Sequence, residues 1–185
     1  MDELIDVLDS NGKKTGATVL KSKAHTLGIF HQTIHVWFYT STGQILLQQR
    51  AKDKITFPLL WDASVAGHIG AGEAIDDAAQ REVKEEIGLS ISTNDLEKIG
   101  ISKSIQKHTA EFLDCEFQHL FISQLKVPLG QLKKQESEVA DLRLTSLLKF
   151  TEETWGLAYT QKYVPHGPNY YKTIVSAIRK AIGNL

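Results

Sequence analysis

Cysteine is almost missing from this chain: Cys115 stands alone. No internal disulfide can form, which fits a reducing cytosol. No apolar run approaches the roughly 18 residues that span a membrane. The opening stretch, MDELIDVLDSNG, is acidic and lacks the basic segment and apolar core of a secretory signal. A cytoplasmic location is therefore expected. Charge of one sign is also lacking. With 21 Lys and Arg against 22 Asp and Glu, the formal net charge is −1, so electrostatics favour neither nucleic acid nor a membrane as partner. Low-complexity tracts, internal repeats and shifts of composition are absent. What remains is 185 residues, 42% hydrophobic, enough for a sizeable core, and 1–185 reads as one domain.

Residues 4–8 alternate weakly and lead into Asn11-Gly12, a hairpin signal, with 15–20 as the returning strand. Residues 1–27 thus read as a small N-terminal β-hairpin extension followed by a short helix over 21–27. Residues 29–39 are rich in β-branched and aromatic side chains. Ile34, Val36 and Phe38 fall on one side and His35, Trp37 and Tyr39 on the other, the pattern of a central strand. Left to itself, the pattern makes His31 and His35 strand-surface residues. Further strands are expected over 44–50, 96–105, 110–122 and 138–144, and a loop over 51–60. A short helix is expected over 145–154. Over 169–182 the positions Tyr170, Ile174, Ala177, Ile178 and Ile182 keep helical spacing.

The most informative stretch is 67–89, GHIGAGEAIDDAAQREVKEEIGL. Three glycines loosen its first part, and 74–87 contains no Gly or Pro and is rich in helix formers. Asp76 and Asp77 suit a first helical turn, and Gly88 supplies a stop. Glu82, Glu85 and Glu86, at i, i+3 and i+4, share one face of that helix. Three such carboxylates repel one another unless a cation sits among them. Oxygen ligands favour Mg²⁺ or Mn²⁺. An E-x-x-E-E run alone is most often a solvated face. Here it belongs to a longer pattern, G-x5-E-x7-R-E-U-x-E-E-x-G-U with U apolar. Gly67, Glu73, Arg81, Glu82, Val83, Glu85, Glu86, Gly88 and Leu89 meet it. Its seven fixed identities coincide by chance on the order of once in 10⁸ windows.

That pattern resembles the Nudix box in every fixed position. The resemblance implies an α+β fold, an α/β/α sandwich around a mixed sheet. It also implies a metal-dependent pyrophosphohydrolase whose substrate is a small molecule carrying a diphosphate linked to another group, such as a nucleoside di- or triphosphate. Glu82, Glu85 and Glu86 are the expected metal ligands, with Gly67 adding a backbone carbonyl. Arg81 is expected to orient the carboxylates, and Glu73 to fix the loop or Arg81. Glu138 is the candidate general base outside the box. Arg50 and Lys54 are candidates for the substrate phosphates, and Trp37, Phe57 and Trp61 for stacking on a base, although such rings are more often core.

The segment from His25 through the box is similar to the isopentenyl-diphosphate isomerase-like branch of that superfamily. Isomerases carry a catalytic cysteine just before a Gly-His pair and a damaged box. Here Ala66 precedes Gly67-His68 and the box is intact, so the hydrolases of the branch are the better match. The branch further implies a second metal site at His25, His31, His68, Asp114 and Glu116, with Glu116 alternatively a substrate contact. An isomerase-like enzyme, a silent binding or regulatory domain, and a homodimer remain open at this level.

Overall fold

A computed structural model of the protein describes residues 2–183. Strands β1 (Leu4–Leu8) and β2 (Lys14–Leu20) form the N-terminal antiparallel hairpin, and helix α1 (Lys21–Leu27) follows. A separate seven-stranded sheet comprises β3 (His31–Tyr39), β4 (Gln44–Arg50), β5 (Trp61–Asp62), β6 (Val65–His68), β7 (Glu97–Lys107), β8 (Leu113–Gln124) and β9 (Val139–Ser146). The helices of the body are α2 (Ile75–Ile87), α3 (Leu147–Thr154) and α4 (Pro168–Gly183). Strand order is β5-β4-β3-β8-β7, with β6 added to β3 and β9 to β4. β3 and β8 run parallel while the other pairs are antiparallel, so the sheet is mixed.

The alternation in β3 decides the layering. Ile34, Val36 and Phe38 are buried with Val65, Ala78, Ala79, Val83 and Ile87, which seats α2 on one face. Trp37 and Tyr39 are buried on the other face with Phe150 of α3 and Tyr170, Ile174 and Ile178 of α4. Each face thus covers its helix by burying apolar area, the dominant stabilising term. The result is the expected α/β/α sandwich.

Boundaries moved where turn chemistry, not propensity, decides. β8 starts at Leu113 because 108–112 close the hairpin from β7, with the His108 N–H donating to the Phe112 carbonyl. β9 runs to Ser146, whose hydroxyl caps α3 by accepting from the Lys149 N–H at 3.2 Å. Short 3-10 turns, Thr93–Asp95 and Leu129–Gln131, occupy stretches read as plain connections. The stop at Gly88 is as expected, in the left-handed region at φ 69°.

The N-terminal hairpin is more than an appendage. The Ala71 N–H donates to the Leu4 carbonyl, the Gly72 N–H donates to Asp6, and Ile5 pairs with Gly70. It therefore braces the loop that leads into α2. No helix among the described residues is long and apolar enough to cross a membrane.

Candidate active site

β6 ends at the glycine that admits the box carboxylates. A side chain at Gly67 would collide with the Glu82 carboxylate, so only glycine lets α2 approach β6 this closely. One guanidinium ties the box together. Arg81 donates through Nε and Nη2 to both Glu73 oxygens, at 2.8 and 2.9 Å. Its Nη1 reaches Glu82 at 2.7 Å and Glu85 at 3.3 Å, and Nη2 also donates to the His68 carbonyl. Glu73 in turn accepts from the Gly70 N–H at 2.8 Å. Arg81 is thus the fixed partner of Glu82 and Glu85 that its position suggested, and Glu73 fixes both the loop and Arg81.

Glu86 stands apart from that pair. It is 4% exposed and accepts from the Gln48 side chain at 2.8 Å and the Ala66 N–H at 3.2 Å. Burial first, and the neighbouring Glu82 second, push its carboxyl up to about 8. Burial also raises Glu82, against the pull of Arg81. Two largely buried carboxylates side by side, Glu82 and Glu86, suit a cation of higher charge than Arg81 supplies.

These groups open onto a cavity of about 820 Å³ whose walls come from both ends of the chain. Arg50 and Lys54 line it. Arg50 also holds the following loop, donating to the Thr56 carbonyl and hydroxyl at 3.0 Å each and to Asp62 at 3.3 Å. In that loop Phe57 and Leu59 sit at φ 48° and 61°, values seldom taken outside glycine. Lys54 pairs with Glu138, which also lines the cavity. Phe57 lines it as well, but Trp37 and Trp61 do not. Both tryptophans are core residues, Trp61 beneath the Arg143 guanidinium at 3.8 Å, and their expected role in base stacking is withdrawn.

A second cluster lies on the same cavity. Ligand atoms of His25, His31 and His68 fall within 4.8 Å of one another. Asp114 is 3.4 Å from His25 and Glu116 is 3.9 Å from His31. The fold therefore brings all five residues of the expected second set together. His31 donates from Nδ1 to the Ile29 carbonyl at 2.9 Å, which leaves a lone pair on Nε2. That Nε2 and one Asp114 oxygen are buried without a partner among the described residues. Burial holds the imidazoles of His68 and His25 below their usual range, which keeps their lone pairs available. Burial, then Asp114, raises the Glu116 carboxyl.

His31 and His35, read from sequence as strand-surface residues, are both buried: His25 of α1 and His68 pack against His31, and Tyr170 of α4 and His166 cover His35. Sequence reasoning missed two further cavity residues, Asp62 and His166, and a buried one behind them, Gln48. Gln48 orients Glu86, and Asp62 and His166 pair at 2.7 Å. A charged residue inside the apolar stretch around Trp61 was a usable signal for Asp62. His166 sits between Pro165 and Pro168, where no periodicity applies.

A family model, the NUDIX domain, matches residues 29–165. The chain belongs to the Nudix hydrolase family. It is an enzyme of a family that acts on diphosphate bonds. An uncharacterised Nudix hydrolase of Clostridium acetobutylicum is 30% identical, over 96% of this chain and 97% of its own length. Nudix hydrolase 3 of Arabidopsis thaliana is 35% identical over 77% of this chain, which spans only 19% of that longer protein. An isopentenyl-diphosphate Delta-isomerase of Serratia proteamaculans is 27% identical over 83% of this chain and 82% of its own length. The crystal structure of DR0079 from Deinococcus radiodurans superposes with a TM-score of 0.71 over 92% of this chain and 98% of that one, at 15% identity, a likeness of fold.

Proposed function

We propose that this Nudix protein is a Mg²⁺- or Mn²⁺-dependent hydrolase that cleaves a small-molecule diphosphate at the floor of the cavity, and that residues 1–185 act as one domain. The observation that carries this reading is the buried Glu86 beside Glu82 and Glu85, facing the same cavity as Arg50 and Lys54. Glu82, Glu85 and Glu86, with the Gly67 carbonyl, would hold the cation. His25, His31, His68, Asp114 and Glu116 would hold a second one. Their orphaned atoms suit that role. Bound there, a divalent ion supplies neutralisation of phosphate oxygens and activation of water.

The chain's own residues do the rest. Arg81, locked by Glu73, fixes the rotamers of Glu82 and Glu85, and Gln48 fixes Glu86. Arg50 and Lys54 present cationic donors to the phosphates. Glu138, whose carboxylate is held by Lys54, takes the proton of the attacking water. A panel of diphosphate compounds assayed with Mg²⁺ or Mn²⁺, with products identified by mass, tests this. Absence of hydrolysis across the panel would overturn it.

Isomerisation is expected to be undetectable. Allylic proton transfer needs an acid and a base on opposite faces. Ala66, at the position of the isomerase thiol, has neither group. Mixing the protein with isopentenyl diphosphate and following dimethylallyl diphosphate by mass and NMR checks this, and any measurable conversion would reverse the branch assignment.

Glu116 distinguishes a ligand from a structural ion pair. Glu116→Gln is expected to lower kcat/KM by at least about tenfold, the scale of losing one ligand of a cation. The thermal midpoint of the metal-free protein should barely move. A structural role would instead cost a few kcal/mol of stability. Normal kinetics together with normal stability would remove Glu116 from the site.

A further inference from the structure

The wall of the cavity formed by β3, β5 and the 164–166 segment carries polar groups that the chemistry above does not use. Trp61 fixes this segment in place. Its N–H donates to the Lys162 carbonyl at 2.8 Å, and its carbonyl accepts from the Val164 N–H at 2.9 Å. That pairing sets His166 against Asp62, Nε2 to Oδ1 at 2.7 Å, with the His166 side chain 5% exposed. Asp62 also accepts from Arg50 and from the Ala63 N–H, and, although burial alone would raise its carboxyl, His166 and Arg50 keep it ionised. A carboxylate only accepts, so the Nε2 hydrogen of His166 is committed to it. The other ring nitrogen, Nδ1, is buried without a partner among the described residues. The ring stacks on Tyr170 at 4.3 Å.

His35 is fixed in the complementary sense. The Trp37 indole can only donate, so the Tyr170 hydroxyl accepts from it at 3.0 Å. The hydroxyl's own hydrogen is left for His35 Nδ1, 2.6 Å away. Burial keeps the His35 ring neutral, its titration pushed down to about 3. Its one remaining hydrogen is therefore on Nε2, which has no partner among the described residues. The two rings lie 5.2 Å apart, and both residues line the cavity. The wall thus offers two ring nitrogens without protein partners side by side, His35 Nε2 with its hydrogen and His166 Nδ1.

We propose that His35 and His166 form the subsite for the group joined to the diphosphate, and that this group bears hydroxyls, as a sugar or polyol does, in place of a plain hydrocarbon chain. This rests on reading the cavity as a diphosphate site. A hydroxyl both donates and accepts, so it satisfies His166 Nδ1 and His35 Nε2–H together. A hydrocarbon seated there would leave both dry and unpaired, the situation polar sites reject most strongly. A cavity of about 820 Å³ has room for such a group beside a diphosphate.

The test compares D-ribityl 5-diphosphate with n-pentyl diphosphate, the same five-carbon chain with and without hydroxyls, in Mg²⁺. The wild type is expected to prefer the ribityl compound by at least about 30-fold in kcat/KM, expressed mainly in KM. His166→Phe keeps the ring and the stack on Tyr170 but removes both nitrogens. It should collapse that preference to within about threefold. Because it also strips a partner from buried Asp62, His166→Gln is the second variant. Its amide keeps a donor for Asp62 and an acceptor for the substrate, and should restore most of the preference. A wild type that cleaves both compounds alike, or neither, overturns the inference, as does a His166→Phe protein that loses activity on both equally. The broader diphosphate panel decides the hydrolase reading independently.

Discussion

Glu85→Gln and Glu86→Gln are each expected to lower kcat by at least about 10²-fold, and EDTA to abolish turnover until Mg²⁺ or Mn²⁺ is restored. The two variants should differ in how they fail. Glu85 is half exposed and touches Arg81 at 3.3 Å, so its loss removes a charge and loosens one arm of Arg81. Glu86 is buried between Gln48 and the Ala66 N–H, and its amide replacement leaves the Gln48 N–H₂ and the Ala66 N–H to share a weaker acceptor. Both should fold, since a neutral amide in a crowded carboxylate cluster relieves repulsion. Steady-state kinetics at saturating metal, with circular dichroism as the folding control, decide it. Full activity in EDTA, or in either variant, would remove the box from the chemistry.

Stability of the metal-free protein is expected to fall as pH rises. Glu86 has its folded-state titration raised from the usual 4.5 to about 8. The folded state therefore binds that proton more tightly than the unfolded chain does. The stability this contributes is fully present below about pH 4.5 and is lost as pH climbs through about 8. At about 1.4 kcal/mol for each pH unit between those limits, the loss reaches several kcal/mol, which makes it among the largest single contributions in a chain of this size. Urea unfolding in EDTA at pH 6 and pH 9 measures it. Glu86→Gln should flatten the profile, and Mg²⁺ should raise the pH 9 midpoint in the wild type. A wild-type profile that is flat, or rises, between these pH values would mean that Glu86 is not buried as a proton-holding group.

How much of this was visible in the chain follows from the range over which each feature is encoded. α2 and its acidic face are local: the glycines, the helix formers and the i, i+3, i+4 spacing lie within 67–89. The two-sided alternation of Ile34, Val36 and Phe38 against Trp37 and Tyr39 is local too, and it marked the central strand, while the two helical layers came from likeness to the family. Periodicity fails for His35, because a residue in a strand covered on both faces is buried whichever way it points. Trp37 and Trp61 fill core, the commoner role for such rings and the one weighed against stacking. The five residues of the second cluster came from likeness to a branch of the family, not from spacing, since α1, β3, β6 and β8 meet only after folding. Of the pair Asp62 and His166, only Asp62 had a local signature, a charge inside an apolar stretch.

The separations between bonded partners also set an order of events. His166 and Asp62 are 104 positions apart, Glu138 and Lys54 are 84 apart, and Asp6 reaches Gly72 across 66. Closing such loops is entropically costly before their contacts form, so these pairings belong to the late part of folding, after α2 has docked on the strands nearest it. A growing chain that has emerged only through Leu89 would own the complete box and yet lack Glu138, Glu116 and the His166 wall. Metal-ligand chemistry without a closed pocket would therefore be the condition of every nascent chain, and the site becomes whole only when the segment before α4 comes back to lie against β5.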